Sequence, residues 1–164
     1  MRRPVTWLGA TMGMLLLLPV AAVCADEEIS LDKVPPPVMD AVKARFKDAE
    51  VTGAAREMDQ EKVVYEVTLQ FKGQKIDVIL APEGEILLIE KAIARGDLPT
   101  AVAKALDDKY PKATYKIVEE VIKVEKKEEK LEYYEARLVT AERKDLEVKL
   151  ATDGRIVKEE GGAE

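Results

Sequence analysis

The sequence predicts an α+β fold made of tandem α-β-β-β-β repeats, each a helix packed on an antiparallel four-stranded sheet. Residues 63–71 alternate apolar and polar side chains, as in a strand with one buried and one solvated face. The pattern Tyr-Glu-x-x-Leu at residues 65–69 returns at residues 134–138. The apolar stripe of a helix recurs at a shift of 64 residues, aligning Pro35 with Pro99, and glycine turns follow both copies in the same order.

The first repeat begins at a run of prolines. Residues 34–37 are Val-Pro-Pro-Pro, and proline suits the first turn of a helix, where backbone N–H groups lack an intrahelical partner. The helix is expected to end near Asp48, because apolar residues at intervals of three or four line one side of it. Before the prolines, the polar and acidic residues 26–33 predict a mobile leader that docks late. The apolar stripe consists of Val38, Val42, Phe46 and Ala49.

Four strands are predicted to follow the first helix. The tight turns between them contain Gly73 and Gly84, since glycine adopts a positive φ without steric cost. The alternation of apolar and polar residues defines the second and third strands most clearly. The predicted strands span residues 50–58, 63–71, 76–80 and 86–89.

The second repeat is predicted to follow a linker at residues 91–96. Asp97 is a candidate N-cap for its helix, with Pro99 in the first turn. The shift between the copies grows to 69 at the second strand and 70 at the third, so the added residues are expected in loops. The predicted divisions are a signal peptide at 1–25, a leader at 26–33, repeats at 34–95 and 96–160, and a tail at 161–164.

The first 25 residues have the features of a secretory signal peptide. Two arginines precede the apolar residues 7–23, and small residues lead to a predicted cleavage after Ala25. A retained anchor is the alternative, but the apolar run is short for a membrane span. A lipoprotein signal requires a small residue before Cys24, where Val23 stands. We therefore expect export to the periplasm or the extracellular space, with no membrane association after the signal is removed.

Composition excludes several classes of function. Without the signal, 24 basic and 32 acidic residues leave a net charge of −8, which repels nucleic acid. The chain has no His, and its only Cys lies in the predicted signal. Nucleophilic triads and histidine metal sites therefore lack their side chains. We expect no enzyme activity, no disulfide and no cofactor.

The many acidic residues leave two further hypotheses open. Two carboxylates could act as a glycosidase pair, or several could bind calcium, which takes oxygen ligands. The turn acids Glu83, Asp145 and Asp153 do not have the spacing of a calcium loop. With so many carboxylates, some pairs lie close together by chance, so we expect no metal site.

The strand and turn motifs resemble a known family. Residues 62–69 and 76–86, and in the second copy residues 133–138 and 151–156, are similar to the PepSY domain and its PepSY-like, β-lactamase-inhibitor-like relatives. The resemblance covers residues 34–159 and implies an exported, non-enzymatic domain that binds, restrains or regulates other proteins, peptidases among them. It assigns no binding residue, because the matching positions are core and turn residues. The chain lacks the cysteines of the disulfide-bearing inhibitors.

The sheet face away from the helix differs between the copies. The first copy is predicted to direct Ile79, Leu87 and Ile89 outward, and grouped exposed apolar residues often mark a contact surface. The alternative is that they pack against the other repeat, the linker or a second subunit. The corresponding residues of the second copy are Lys149, Val157 and Glu159.

Other candidate contacts have simpler explanations. Tyr65 and Tyr134 lie on the predicted inward face, which favours core packing over ligand contact. The charged run at residues 125–130 favours a solvated hairpin tip over a docking element.

The predicted function is an exported non-enzymatic protein-binding or regulatory module, including the case of an inhibitor of a peptidase or another hydrolase. The alternative is an envelope structural or ligand-sensing protein that uses the cleft between the repeats. The expected partner is another exported or envelope protein, not nucleic acid.

Overall fold

The computed structural model describes residues 27–161, so the predicted signal peptide lies outside the described residues. Helix α1 spans Pro36–Arg45 and helix α2 spans Thr100–Lys109, and short 3₁₀ helices at Leu31–Lys33 and Arg95–Asp97 precede them. The strands are β1 (Glu27–Glu28), β2 (Glu50–Asp59), β3 (Lys62–Phe71), β4 (Gln74–Leu80), β5 (Ile86–Ala92), β6 (Thr114–Glu125), β7 (Glu128–Val139), β8 (Asp145–Leu150) and β9 (Ile156–Gly161).

All nine strands form one antiparallel sheet in chain order. Strands β5 and β6 pair directly, with Ile89 opposite Ile122 and Lys91 opposite Glu120. We call this β5–β6 pairing the seam, because it joins the two halves of the chain. The α+β class is therefore confirmed, but the eight predicted strands and a ninth form a continuous sheet.

Both helices pack on the same face of the sheet. Val38 and Val42 of α1 lie in one apolar cluster with residues of β2 to β6, and Val102 and Leu106 of α2 lie in a second cluster with residues of β6 to β8. All four valine and leucine side chains are almost fully buried, each contributing about 1.5–3 kcal/mol by removing apolar surface from water. The apolar side chains predicted to line one side of each helix therefore do pack against the sheet. Tyr65 and Tyr134 contact these clusters, as predicted.

A β-bulge changes the register of β5. Ile79 lies opposite Leu88 and Leu80 lies opposite Ile86, so Leu87 is an extra residue without a partner on β4. Ile89 consequently lies opposite Val78 and is fully buried in the cluster under α1. The prediction that Ile89 points away from the helix is wrong, because simple alternation does not include the bulge.

The second half contains the same bulge between β8 and β9. Lys149 lies opposite Lys158, and Leu150 lies opposite Ile156. Val157 is the extra residue and is 57% exposed. The two halves therefore share the bulge as well as the order of their elements.

Strand pairing extends to both ends of the described region. Glu27 and Glu28 of the leader that was predicted to be mobile form β1 on the edge of β2, and the Ile29 N–H donates to the Ala54 carbonyl at 2.9 Å. At the other end, Gly161 of the predicted tail pairs with Leu146 of β8. In both places main-chain hydrogen bonds to a neighbouring strand extend the sheet beyond its apolar pattern.

Asp97 is not the N-cap of α2. It ends the 3₁₀ helix, where its N–H donates to the Ala94 carbonyl at 2.9 Å, and Pro99 occupies the N-cap without a side-chain hydrogen bond. Pro35 occupies the same position before α1. Both helices thus begin after a proline with extended ψ, without a polar cap.

Two turn glycines fix the helices against the sheet. Gly84, in the β4–β5 turn, has φ +88°, and a Cβ there would lie 2.5 Å from the Pro37 carbonyl oxygen. Gly154 has φ +90°, and its Cβ would lie 2.5 Å from the Ala101 carbonyl oxygen. Each turn therefore packs against the first turn of a helix at a distance that only glycine permits.

The destabilisation caused by the close contact at Gly84 can be measured separately from that caused by its positive φ. Gly73 has a similar φ of +83°, but a Cβ there would meet nothing within 4 Å. Gly73→Ala should lower the free energy of unfolding by about 1 kcal/mol, from the positive φ alone. Gly84→Ala should lower it by about 3 kcal/mol or more, since the Pro37 backbone must also shift. Urea denaturation measures both, and equal losses would contradict the close packing of turn and helix.

Candidate functional site

The sheet face opposite α1 and α2, here called the helix-free face, is concave. One depression of about 560 Å³ is lined by residues from β2, including Glu57, through to Glu160 of β9. In a flat sheet, seven strand spacings would separate β2 from β9 by roughly 33 Å, far more than a depression of this volume spans. The sheet therefore curls around this face, which explains how side chains there are buried without a covering helix.

Four carboxylates are buried on the helix-free face. Asp77, Glu90, Glu119 and Glu135 are each 9% exposed or less. Asp77 and Glu90 lie opposite each other on β4 and β5, while Glu119 and Glu135 lie opposite each other on β6 and β7. Buried carboxylates are costly unless they are protonated, paired or bound to a cation, so this group is the main candidate site.

Three of these residues form the acidic triad: Asp77, Glu90 and Glu119. Each has a carboxylate oxygen within 4.8 Å of one such oxygen on the other two. The residues come from β4, β5 and β6, so the triad crosses the seam between the two halves.

Hydrogen bonding is uneven within the acidic triad. Asp77 accepts a hydrogen bond from Thr68 Oγ1 at 2.7 Å and forms an ion pair with Lys75. Lys75 Nζ lies 4.0 Å from Glu119 Oε1, beyond hydrogen-bond distance. Neither oxygen of Glu119 has a hydrogen-bond partner among the described residues, although Glu119 is only 1% exposed. The triad therefore contains an unsatisfied buried carboxylate.

The fourth buried carboxylate is well paired. Glu135 lies 3.4 Å from Arg137 Nε and 3.4 Å from Lys149 Nζ. The same two cations contact Glu147 at 3.6 and 3.4 Å. Two acids thus share two bases, which leaves the acidic triad as the unbalanced part of the face.

The environment raises the pKa values of the two glutamates of the triad, Glu90 and Glu119. Burial raises the pKa of Glu90 to about 8, with further contributions from the negative charges of Glu135 and Glu119. Burial also raises the pKa of Glu119 to about 7, although Lys75 and Arg137 act in the opposite direction. Near neutral pH the triad can therefore hold protons in the absence of another cation.

A depression of about 690 Å³, lined by both apolar and charged side chains, adjoins the acidic one. Ile79 and Leu87 both line it, with Val64 and Leu88, and Ile79 is only 8% exposed. Val64, Ile79 and Leu88 also line the acidic depression. The structure therefore brings two of the three predicted contact residues together, beside the buried acids.

Ile89 lies elsewhere. With Ile86 and Val124 it lines a depression of about 540 Å³ on the helix side of the sheet, between α1 and the β6–β7 hairpin. Arg45 of α1 donates to Glu129 Oε1 at 2.7 Å across this depression. Residues 125–130 are exposed, as expected for a solvated hairpin tip.

The acidic triad was not predicted from the sequence. One signal was available, because Asp77 lies between Ile76 and Val78, and Glu90 follows an apolar run. An acid in such a setting suggests a buried position. The sequence indicated the burial of Glu119 less clearly. Glu120 beside it is also acidic, and the sequence does not show which of the two side chains the sheet buries.

Two helices on one face of a curled antiparallel sheet, with the other face open and concave, define the chain as an α+β protein. The comparison with family profiles makes this more specific. The profile described as "Putative beta-lactamase-inhibitor-like, PepSY-like" matches residues 21–88 and 76–158. The chain belongs to this family, as the strand and turn motifs suggested. The family description names no catalytic activity.

Solved structures have the same fold at low sequence identity. A BLIP-like protein from Bacteroides fragilis is 18% identical, with a TM-score of 0.54, over 76% of this chain and 84% of that one. A structure described as putative periplasmic proteins from Bacteroides eggerthii is 15% identical, with a TM-score of 0.62, over 78% and 88%. A DUF2874 family protein from Bacteroides uniformis is 17% identical, with a TM-score of 0.61, over 77% and 88%. No curated protein sequence matches significantly.

Neither α1 nor α2 approaches the length needed to span a membrane, and no helix among residues 27–161 is long and apolar enough to cross a bilayer.

The raised carboxyl pKa values predict a stability that falls with pH in metal-free buffer. Glu90 and Glu119 have folded pKa values of about 8 and about 7, above the ordinary 4.5, so the folded state binds their protons more tightly than the unfolded chain. Stability should be greatest near the ordinary pKa and decline until the pH passes about 8. The expected loss between about pH 5.5 and 8.5, summed over the two carboxyls, is on the order of 5 kcal/mol.

Glu90→Gln should flatten this dependence, since it removes the carboxyl with the higher pKa, while the turn variant Glu83→Gln should leave it unchanged. The other charged groups facing the triad are Lys75, Glu66, Glu135 and Arg137. Urea denaturation across this pH range tests the prediction, and a stability of wild type that rises with pH would contradict it.

Proposed function

We propose that the chain is an exported, non-enzymatic protein-binding module whose helix-free face receives another exported protein. The observation that carries this proposal is the difference between the two faces of the sheet. Both helices cover one face, whereas the other is concave, open and lined by apolar and charged side chains. A concave surface of this composition suits a protruding segment of a partner.

We further propose that the module consists of two tandem α-β-β-β-β repeats, at residues 34–95 and 96–160. The order of helices and strands, the proline before each helix and the glycine turn on each helix support this division. The matching bulges at Leu87 and Val157 add a further correspondence. The two repeats enclose the helix-free face jointly, because the sheet is continuous across the seam.

The chemistry of the face favours a partner segment that combines an apolar side chain with a basic one. Ile79, Leu87 and Leu88 supply apolar contact in one depression. The adjoining depression contains Glu90 and more acidic than basic side chains. A lysine or arginine of the partner would complement this charge, and the apolar side chain would bury the exposed parts of the leucines. The acidic residues that line this acidic depression are Glu57, Asp59, Glu66, Glu90, Glu135, Glu147 and Glu160.

Inhibition of a hydrolase is the narrower form of this proposal. A partner segment near a hydrolase active site would be covered when it enters the concave face. The β-lactamase-inhibitor-like description of the family and the BLIP-like description of the Bacteroides fragilis structure support testing β-lactamases and peptidases first.

Ligand sensing at the junction of the repeats is the second candidate function. The position of the acidic triad across the seam favours it, because a ligand there would contact both halves of the chain.

The partner proposal can be tested with Leu87→Lys. This change places a charge beside Ile79 and Leu88, at a bulge residue where the ladder of strand pairs is already interrupted, so the fold should persist. Val157→Lys is the matched control, because Val157 is the equivalent bulge residue of the second half. Both variants should unfold within a few degrees of wild type in a thermal scan.

Partners captured from the exported protein fraction by wild type should be purified and titrated individually by calorimetry. Leu87→Lys should weaken the affinity of the purified partner at least about tenfold, or about 1.4 kcal/mol, while Val157→Lys retains it. Activity assays of β-lactamases and peptidases with added protein test the narrower form. Equal affinity for wild type and Leu87→Lys would contradict the proposed surface.

A further inference from the structure

We propose that the acidic triad of Asp77, Glu90 and Glu119 binds a calcium ion at the seam between the two halves. The proposal concerns the isolated protein and does not depend on the proposed protein partner. It rests on the placement of three carboxylates, on one buried carboxylate that accepts no hydrogen bond from the described residues, and on the negative charge that exceeds the positive charge around them.

The spacing of the triad fits the size of a calcium ion. One carboxylate oxygen from each residue lies within 4.8 Å of the other two. Calcium binds oxygen ligands at about 2.3–2.6 Å, so two ligands on opposite sides of the ion lie up to about 5.2 Å apart. Magnesium demands strict octahedral geometry and dehydrates reluctantly, so it is usually bound by one or two carboxylates and several waters rather than by three protein carboxylates. The donors, all carboxylate oxygens, also match the preference of calcium for hard ligands.

Glu119 gives the independent indication of a ligand. It is 1% exposed, and neither of its carboxylate oxygens has a hydrogen-bond partner among the described residues. Its oxygen lies among those of Asp77 and Glu90, so the side chain is directed into the triad. A buried carboxylate with both oxygens unsatisfied normally costs several kilocalories per mole, and a bound cation would satisfy both at once.

The charge of the surroundings matches a divalent ion. Three ionised carboxylates carry three negative charges, and Lys75, which pairs with Asp77 and lies 4.0 Å from Glu119, carries one positive charge. The remaining two negative charges equal the charge of one calcium ion. Arg137 and Lys149 each contact both Glu135 and Glu147, so the two positive charges are balanced by these two acids.

The acidic depression provides access to the site. Glu90 belongs to both the triad and the lining of that depression. Glu66 and Glu135 line the same depression, and their negative charges would attract a cation toward Glu90. Glu90 is therefore the member of the triad that an ion entering from this depression meets first.

A calcium ion at the triad would connect β4, β5 and β6. Strands β4 and β5 belong to the first half of the chain, and β6 belongs to the second. The ion would therefore strengthen the seam and fix the curvature of the helix-free face. This gives calcium a direct structural route to the shape of the concave surface.

The experiment measures calcium binding by the chain without its predicted signal, residues 26–164, after treatment with a chelator. Isothermal calorimetry and thermal unfolding at pH 7.5 are carried out with calcium, with magnesium, and with sodium at matched ionic strength. Wild type should bind one calcium ion and unfold about 5 °C or more higher at a concentration of 100 times the dissociation constant. Magnesium should bind at least about tenfold more weakly.

Glu119→Gln should weaken calcium binding at least about tenfold and remove the thermal shift. This variant should fold, since it replaces an unsatisfied buried carboxylate by a neutral side chain of the same size. Glu147→Gln is the matched control, because Glu147 lies on the same face but outside the triad and should leave binding unchanged. Asp77→Asn provides a second variant of the triad with the same expected loss.

Three outcomes would overturn the proposal. The first is the absence of any calcium-dependent shift, which would mean that protons and Lys75 alone satisfy the triad. The second is an equal shift in wild type and Glu119→Gln, which would indicate general binding of cations to an acidic protein. The third is magnesium binding as strong as calcium binding, which would contradict the assignment of the ion.

Discussion

The pairing of β5 with β6 is the interaction on which the rest of the structure depends. It converts two helix-and-strand units into one nine-stranded sheet and removes two exposed strand edges. Each unit alone would have only about 60 residues, a size at which a single core is marginal. Because Ile89 and Ile122 meet at the seam within the cluster under α1, the second half also contributes to the core of the first.

The seam also determines the character of the helix-free face. On the helix side, the continuous sheet supports two apolar clusters of ordinary composition. On the other side, curvature encloses Asp77, Glu90 and Glu119 from three adjacent strands around the seam. The first half of the chain contains only Asp77 and Glu90, and the second half contains only Glu119. The triad, and with it the candidate cation site, exists only because the halves are joined.

The features set by short-range physics could be predicted from the sequence. Proline starts, apolar stripes, alternating strands and glycine turns each depend on a few adjacent residues, and all appear near their predicted positions. The bulge at Leu87 could not be predicted in this way, because it has no distinctive residue type, and it reversed the expected direction of Ile89. The burial of Glu119 depends on sheet curvature, a property of many strands together, and no local pattern of charges encodes it.

The most direct test of the seam is the observation of cross-strand nuclear Overhauser effects between β5 and β6 in the isotopically labelled protein. A continuous sheet predicts backbone contacts between the two strands in the register of Ile89 with Ile122 and Lys91 with Glu120, together with slow amide exchange on both strands. The absence of these contacts, with amides of β5 and β6 exchanging as rapidly as those of edge strands, would contradict it.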